Sequence, residues 1–534
     1  MDPAAVDADQ HDADQHDADQ HDLDDRPGDP VVVEQWLGAP ARSYARRPAT
    51  VVDALDRAVR RWPDAPAMVD GDRTLTYGEL GAAVERAAAS LLDRGLVRGD
   101  ALAVAAGNGL ELAVLLLACA RARVVMVGLN TRLAPPQWAY MTEHMQVRLR
   151  LAEPRFPLPG AEPLAAVLAE AAPRPWAYDP AREQPAEDET YAVVFTSGTT
   201  GRPKASQVVH RCSVHSGMSY QRVLQLRPGE VTAVLFPMYY ISAVHAHVLP
   251  ALLAGATCLL LDPTSPRDYV DALRTHRVSW AYAVPSWWRL VLRVPAFCDL
   301  PALTRLAAGG APLPADLVDA LRQRLPGVRL HDVYGLSETH SPGCIAPDDV
   351  VRARPGSVGR PLDCMEARVR GEDGAVLGPD EPGVLELRGS LVTTGYARDP
   401  AATARAVVDG WFDTGDVARI DADGYVTVLD RTKDMINRGG TKVFSAEVEE
   451  LLRRHPAITD AAVVGVPDAL AGEAVAAYVV ACAPVTAADV RAWVREGMAE
   501  HAAPRLVELV DELPRNAVGK TDKQALRARA ATCR

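Results

Sequence analysis

The sequence predicts an α/β protein in which mainly parallel sheets are covered by helices, followed by a small β-rich region and a compact α+β region. Three observations predict this fold class. Apolar strand-like segments alternate with amphipathic helical segments from residue 50, short β-branched segments between turns fill about 355–430, and mixed helices and strands follow residue 430. A chain of 534 residues exceeds one hydrophobic core of about 250–300 residues, so at least two domains are expected.

The first half of the chain carries the alternation of helices and strands. Periodicity predicts helices over 51–61, 78–94 and 110–121 and strands over 101–106 and 124–127. Consecutive strands joined through helices run parallel, so helix-covered parallel sheets follow from this order. The same alternation returns at 191–209, 231–261, 271–284 and 303–335.

The last hundred residues contain two helix starts with capping signals. Ser445 is predicted to be the N-cap of a helix with acidic residues in its first turns. Thr486, with Asp489 three residues later, is predicted to open a second helix.

Residues 1–29 form an acidic tail that is predicted to be disordered. They hold eleven Asp and one Arg, a net charge of −10 out of −13 for the whole chain, and three copies of the pentad ADQHD. Such a segment cannot bury enough apolar surface to fold. The remaining −3 is spread over a nearly neutral body without a basic stripe, which argues against a nucleic-acid partner.

The eight cysteines are scattered without a CxxC pair or a zinc-like cluster, and they are expected to be free thiols in a reducing compartment. No uninterrupted apolar run is long enough for a membrane span, and the first residues lack the basic and apolar regions of a signal peptide. A cytoplasmic protein is therefore expected.

The most informative segment is TSGTTGRPKA at residues 196–205, directly after the apolar strand 191–195. Backbone N–H groups, hydroxyls and a terminal lysine suit a polyphosphate, although the segment lacks the GK[ST] of a Walker A loop. The predicted phosphate-binding residues are Thr196, Ser197, Gly198, Thr199, Thr200, Gly201 and Lys204.

This loop resembles the phosphate-binding signature of the adenylate-forming superfamily, which includes acyl-CoA synthetases, aryl-acid ligases and peptide-synthetase adenylation domains. Further motifs follow in the family's order over about residues 50–525. The resemblance implies a large N-terminal domain (30–432) of two helix-covered, mainly parallel sheets with a β-barrel-like subdomain at about 355–430. It also implies a mobile, small α+β lid domain at 433–534.

By the same resemblance, four segments complete a nucleotide site for ATP and Mg²⁺. GGAP at 309–312 resembles the adenine-pocket turn. HDVYGLSET at 331–339 resembles the segment with the adenine-contacting tyrosine and the magnesium-binding glutamate. WFDTGD at 411–416 resembles the ribose motif, and DRTKD at 430–434 resembles the segment whose arginine contacts ribose and phosphate. One carboxylate near the triphosphate suits Mg²⁺, which keeps several of its waters. The implied residues are Gly310, Ala311, Pro312, Asp332, Tyr334, Gly335, Ser337, Glu338 as the metal ligand, Asp416 and Arg431.

The C-terminal motif LPRNAVGKTDKQAL at 513–526 resembles the family's final motif. It implies that Lys520 enters the active site during adenylation, so that Lys520, Glu338 and Thr196 are the predicted catalytic residues. The domain would then rotate about the hinge residue Lys433, and Gly439 and Gly440 would line a tunnel for the incoming thiol.

The predicted acid pocket comprises Tyr240, His245, Ser286, Trp287, Gly309 and Gly335. The resemblance argues against an α-amino acid as substrate, because it places Tyr240 where amino-acid activators carry an aspartate. Relatives that activate acyl or aryl acids usually carry histidine there; His245 or His247 could replace part of its role. Trp287 and Trp288 suggest an aryl or short to medium acyl acid, or are simply core residues.

The predicted reaction is the formation of an acyl-AMP with release of pyrophosphate, followed by acyl transfer to CoA, or to the phosphopantetheine of a carrier protein supplied in trans. Two alternatives stay open: transfer to a nucleophile other than a thiol, and a catalytically silent nucleotide-binding relative. A monomer or a homodimer is expected.

Overall fold

The computed structural model describes residues 30–169, 184–196, 203–262, 265–439, 441–468, 470–515 and 521–532. Several predicted features lie outside the described residues: the acidic tail 1–29, Ser197–Gly201 of the phosphate loop, Gly440 of the thiol tunnel, and Lys520. No helix in the described ranges is both long and apolar enough to cross a bilayer.

Two large, mainly parallel sheets form most of the chain, as the sequence predicts. Antiparallel pairs occur only at their edges. In spatial order the six strands of the first sheet are Lys204–Val209, Thr190–Thr196, Val125–Gly128, Ala101–Ala105, Leu149–Ala152 and Glu162–Pro163. The eight strands of the second are Cys344–Ala346, Arg329–Tyr334, Arg305–Gly309, Trp280–Ala283, Val231–Val234, Thr257–Leu260, Pro66–Asp70 and Arg73–Thr76.

A shared layer of helices lies between the two sheets. Leu102 and Val104 of the first sheet and Trp280 and Tyr282 of the second belong to one core cluster with these helices. The helix Leu110–Ala122 is buried almost all round, which explains its lack of a polar face. The helices of this layer are Val51–Arg61, Tyr77–Asp93, Leu110–Ala122, His210–Leu224 and Leu249–Ala254.

The outer face of each sheet is also covered. On the first sheet, Ala101 and Ala103 pack with Trp138, and on the second sheet Ala281 and Ala283 form a separate cluster. Strands buried on both faces read as continuous apolar runs, which is the pattern in the sequence. The remaining helices before residue 354 are Pro135–His144, Leu164–Ala169, Ile241–Ala243, Pro266–Thr275, Pro285–Val291, Ala315–Arg324 and Asp348–Ala353, with a π-helix at Val244–Val248 and 3₁₀ turns at Pro295–Cys298 and Ser337–Thr339.

The predicted β-barrel-like region is an antiparallel half-barrel sheet. Register shifts at Val384/Glu386 and Val417/Ala418 disturb its ladders, and such bulges bend a sheet. Its strands are Met365–Arg370, Gly383–Gly389, Val407–Val408, Trp411–Ile420 and Val426–Arg431, with the helix Pro400–Ala406 beside them. A separate hairpin of Val31–Trp36 and Ala39–Tyr44 precedes the large sheets.

The C-terminal region is a five-stranded sheet with helices on both faces. Its strands are Ile436–Arg438, Thr441–Val443, Ile458–Asp468, Gly472–Ala481 and Leu506–Leu509. The helices Ser445–Arg453 and Ala487–Gly497 contribute to one core, Lys523–Thr532 contributes to a second, and a 3₁₀ turn lies at Glu500–Ala502.

The two predicted helix starts have different outcomes. Thr486 and Asp489 form the predicted capping box. The prediction for Ser445 was wrong by one position: Phe444 is the N-cap and Ser445 is the first helical residue. The Ser445 N–H and hydroxyl both donate to the Asp430 carboxylate, at 2.5 and 2.8 Å, so a partner outside the helix takes the side chain.

Candidate active site

The base of the predicted phosphate loop is an antiparallel hairpin at the edge of the first sheet. Thr196 ends one strand, Lys204 begins the next, and the two residues are directly paired. The residues between them that the sequence assigns to phosphate lie outside the described ranges. The two described members therefore sit side by side at the mouth of the loop.

Glu338 lies beside this hairpin. It belongs to the 3₁₀ turn Ser337–Thr339, which follows the strand Arg329–Tyr334, and it is buried. The Thr196 hydroxyl donates to Glu338 Oε1 at 3.3 Å, and the Tyr396 hydroxyl donates to the same oxygen at 2.9 Å. The fold thus joins two predicted residues that are far apart in sequence.

Tyr396 is a residue of this group that the sequence reasoning missed. The ammonium of Lys204 lies 4.9 Å from the centre of its ring, and Glu338 accepts from its hydroxyl. Burial first, and the Glu338 carboxylate second, raise the pKa of Tyr396, which therefore stays a hydrogen-bond donor at neutral pH. The only signal was the dipeptide Gly395–Tyr396, too short to indicate chemistry.

A second group of polar side chains lies at the end of the strand Arg329–Tyr334. Tyr334 Oη donates to Asp416 Oδ2 at 2.6 Å, and the Arg431 guanidinium binds Asp416 Oδ1 at 2.7 Å. Asp416 is 3% exposed and is paired with Arg431 across neighbouring strands. Burial, and then the charge of Asp416, raise the pKa of Tyr334. The arrangement is a fixed carboxylate, suited to accept hydrogen bonds from two adjacent hydroxyls.

The predicted adenine turn lies at the carboxyl ends of two adjacent parallel strands, Arg305–Gly309 and Arg329–Tyr334. Ligands of open α/β sheets bind at such ends. A Cβ on Gly309 would lie 2.4 Å from Tyr282 Oη and 2.5 Å from the Val333 carbonyl oxygen, so only glycine fits there. Of the remaining residues of this turn, Gly310 (φ +76°), Ala311 and Pro312 are exposed.

Asp332 lies on the second of these strands, two residues before Tyr334. It is 8% exposed, and burial raises the pKa of its carboxyl to about 7. A carboxyl at such a strand end can accept from an amino group such as that of adenine.

Tyr240 and His245 line one small apolar cavity beneath the loop that follows the strand Val231–Val234. The amide of Asn130 donates to the Tyr240 hydroxyl at 2.8 Å, which fixes the ring. His245 Nε2 lies 2.9 Å from Ser213 Oγ, and its ring meets that of His340 edge-on. The remaining lining residues are mostly apolar: Leu116, Met126, Gly128, Tyr191, Ala192, Val193, Val194, Val208, Met238, Tyr239 and Val244.

Ser286 and Trp287 are not brought to this cavity. Ser286 is exposed, and Trp287 is half-buried with its ring edge-on to Tyr269 on the outer face of the second sheet. Trp288 is fully buried and donates from its indole to the Ala307 carbonyl at 2.8 Å. Trp288 is thus a core residue. The sequence had left open whether the tryptophan pair lines the acid pocket or belongs to the core.

A chain of hydroxyls, also missed from the sequence, runs behind Gly335. Ser242 is partly exposed and lies 3.4 Å from Ser341, whose hydroxyl is 2.9 Å from Tyr220 Oη. Tyr220 in turn hydrogen-bonds with Tyr282. A Cβ on Gly335 would lie 1.4 Å from the Ser341 carbonyl oxygen, so this glycine fixes the position of the chain.

The predicted hinge carries contacts from the last helix. Arg527 donates to the Lys433 carbonyl at 3.1 Å and forms an ion pair with Asp434 at 2.7 Å. Lys523 donates to Ser445 at 2.7 Å. In the predicted thiol tunnel, Gly439 has a φ of +61° with open space around it.

Two family models match the chain: AMP-binding enzyme over residues 55–397 and AMP-binding enzyme C-terminal domain over 447–520. The feruloyl-CoA synthase of an Amycolatopsis species is 34% identical over 485 residues, covering 89% of this chain and 97% of that protein. The 2-succinylbenzoate–CoA ligase of Bacillus licheniformis is 32% identical, covering 87% and 97%.

Solved structures agree with these matches. The o-succinylbenzoate CoA synthetase from Bacillus subtilis, in complex with its acyl-adenylate intermediate, has a TM-score of 0.80 at 28% identity and covers 89% of this chain and 97% of its own. ATP-bound MatB from Rhodopseudomonas palustris has a TM-score of 0.81 at 28% identity and covers 90% and 98%. The protein is an acid–thiol ligase of the AMP-forming type, and the chain belongs to the AMP-binding enzyme family.

Proposed function

We propose that the protein activates a carboxylic acid with ATP as an acyl-AMP, releases pyrophosphate, and transfers the acyl group to the thiol of CoA. The observation that carries this proposal is that two groups of polar side chains, around Asp416 and around Glu338, lie at the end of the strand Arg329–Tyr334. Asp416, with Tyr334 and Arg431, would hold the ribose, and Glu338 beside Lys204 would face the phosphates.

In the first half-reaction an oxygen of the substrate carboxylate attacks the α-phosphorus of ATP, and the bond to pyrophosphate breaks in line. Lys204 and Lys520 would offset the charge on the phosphates, and Thr196 would orient a phosphate oxygen at the mouth of the loop. Glu338 is the side chain that would hold Mg²⁺, because it is a carboxylate with one oxygen held by two hydroxyls. When bound, Mg²⁺ would neutralise phosphate charge.

The second half-reaction requires Lys520 to leave and a thiol to enter. We assign the hinge to Lys433, the lid to residues 433–534, and the thiol path to Gly439 and Gly440. The thiolate attacks the acyl carbonyl and AMP leaves, so the thioester replaces the mixed anhydride. The names of the relatives, which are CoA ligases, favour CoA over a carrier protein supplied in trans.

The acid is proposed to be compact and to carry an oxygen substituent. The cavity at Tyr240 and His245 is small, and Ser242 ends a chain of buried hydroxyls that can donate to or accept from a substrate oxygen. A site built to hydrogen-bond a substituent rejects the acid that lacks it, because its own polar groups are then left unpaired. Two relatives are named for substituted aromatic acids, which agrees with this choice.

The test is ATP–pyrophosphate exchange over paired acids with and without a hydroxyl or keto group, among them cinnamate and 4-hydroxycinnamate, together with alkanoates. We expect exchange to favour the oxygenated member of a pair by about tenfold or more. Ser242→Ala should reduce that preference without changing the KM for ATP. Background exchange with every acid would instead support a silent nucleotide-binding relative.

A second assay separates the acceptors. The activating acid is incubated with ATP and either CoA, a phosphopantetheinylated carrier protein or neither, and the acyl products are identified by mass spectrometry. Thioester with CoA alone supports the proposal. Acyl-AMP that accumulates under all three conditions would favour a non-thiol nucleophile. We also propose a cytoplasmic location, which the free cysteines among the described residues fit. Light scattering of the purified chain would decide between the proposed monomer and homodimer.

A further inference from the structure

Tyr396 lies between the two charges that would contact the triphosphate. Its backbone is anchored on the second strand of the phosphate-loop hairpin: Tyr396 bridges to Ser206, and the Ala397 N–H donates to the Ala205 carbonyl at 2.8 Å. Its own N–H donates to Thr403 Oγ1 at 2.9 Å. The ring is therefore fixed relative to the strand that Lys204 begins.

The two ends of the side chain have separate contacts. The hydroxyl donates to Glu338 Oε1 at 2.9 Å, and the ring face lies 4.9 Å from the Lys204 ammonium. Tyr396 is only 8% exposed, so both contacts are made with little competing water. In the described part of the chain, Lys204 forms no ion pair with any carboxylate, Glu338 included.

This arrangement keeps a lysine and a glutamate from neutralising each other. Opposite charges that contact the same side chain in a half-buried site attract each other, and a direct ion pair would take both from the ligand. The ring attracts the ammonium through its negative face, while the hydroxyl satisfies one carboxylate oxygen. Among the described residues, none donates a hydrogen bond to the other oxygen, Oε2.

We propose that Tyr396 is a positioning residue that separates Lys204 from Glu338 and presents the ammonium to the phosphates and the carboxylate to Mg²⁺. The inference rests on the proposed function, because it needs MgATP as the ligand. It assigns different tasks to the two parts of one side chain. The hydroxyl orients Glu338 and so affects how ATP binding depends on Mg²⁺. The ring orients Lys204 and so affects phosphate binding with or without the metal.

Two substitutions separate these tasks. Tyr396→Phe keeps the ring and removes the hydroxyl, whereas Tyr396→Leu removes both. Tyr425→Phe is the matched control, since its ring also lies beside a cation, the Arg354 guanidinium at 4.1 Å, directly before the half-barrel strand Val426–Arg431. The measurement is calorimetric binding of ATP, first in EDTA and then across a Mg²⁺ titration.

For Tyr396→Phe we expect unchanged binding of metal-free ATP and about a tenfold rise in the Mg²⁺ concentration that gives half of the metal-dependent gain in affinity. For Tyr396→Leu we expect metal-free ATP to bind about threefold to tenfold more weakly as well. Tyr425→Phe should match the wild type in both conditions.

Three results would overturn the inference: an unchanged Mg²⁺ requirement in Tyr396→Phe, equal weakening of ATP binding with and without metal in that variant, or the same shift in Tyr425→Phe. Equal weakening would mean that Tyr396 is merely structural. If Tyr396→Leu does not fold, Tyr396→Phe decides alone. The two failures are distinguishable. A wild-type chain that binds no MgATP would refute the proposed function itself. A wild-type chain that binds MgATP, together with a Tyr396→Phe variant that behaves like it, would refute only the inference.

Discussion

Asp332 allows a quantitative prediction because its carboxyl is buried, and no described cation forms an ion pair with it. Burial raises its pKa from 3.8 to about 7, and a backbone hydrogen bond at Val333 lowers it by less. The folded chain therefore keeps this proton at pH values where the unfolded chain has lost it. The stability that the protonated carboxyl contributes is fully present below about pH 4 and is lost as the pH rises to about 7.

The size of the effect follows from the shift. About three pKa units at 1.36 kcal/mol each give at most about 4 kcal/mol. For about 500 residues after the acidic tail unfolding together, an entropy of about 2.1 cal/mol/K per residue gives about 1.1 kcal/mol/K, so the whole loss corresponds to about 4 °C in Tm.

The assay is thermal unfolding of the wild type and of Asp332→Asn, in which a neutral amide replaces the carboxyl, from about pH 5 to about pH 8. Because pH 5 already lies about one unit above the unfolded pKa, this range samples about two of the three units, and we expect the Tm of the variant to gain on the wild type by about 2 °C. Asp319→Asn removes the same charge from an exposed position and should leave the difference flat. Parallel curves for Asp332→Asn and the wild type would refute the reasoning.

Three further predictions concern the site. Gly335→Ala places a Cβ against the Ser341 carbonyl oxygen, so it should lower Tm by several degrees and abolish pyrophosphate exchange, whereas Gly327→Ala, with open space around it, should do neither. Tyr334→Phe loses the 2.6 Å hydrogen bond to a carboxylate and should raise the KM for ATP about tenfold with little change in kcat. Lys520→Ala should reduce acyl-AMP formation about a hundredfold or more, while thioester formation from supplied acyl-AMP stays within about threefold of the wild type. Equal losses in both half-reactions would contradict a lysine that leaves.

The large elements were predictable because local signals and the final packing agree. The helices Val51–Arg61 and Tyr77–Asp93 match the predicted 51–61 and 78–94 closely, since each has a clear apolar face and a threonine N-cap. The alternation of strands and helices correctly indicated parallel sheets. The antiparallel edge strands carry no such signal, because a short strand reads the same whichever direction its neighbour runs.

The prediction for Ser445 failed because a distant partner outweighs a local rule. Ser445 has the chemistry of an N-cap, yet its hydroxyl binds Asp430 and Lys523, which lie in other elements. Trp287 and Trp288 are adjacent and chemically alike, but successive helical positions point about 100° apart. Only packing decides that Trp288 reaches the Ala307 carbonyl and that Trp287 faces Tyr269.

The predicted nucleotide residues and the proposed acid residues differ in how the sequence encodes them. Most of the predicted phosphate and ribose residues lie in short contiguous strings, such as 196–205 from the end of a strand onward and 411–416 within the strand Trp411–Ile420. The hydroxyl chain at the proposed acid site instead joins Tyr220, from a helix of the inner layer, to Ser242 and Ser341 from two separate segments. No string contains all three. If the proposed acid site is correct, substrate preference can change through single inner-layer residues while the nucleotide strings stay intact, and two relatives named for different acids agree with such a separation.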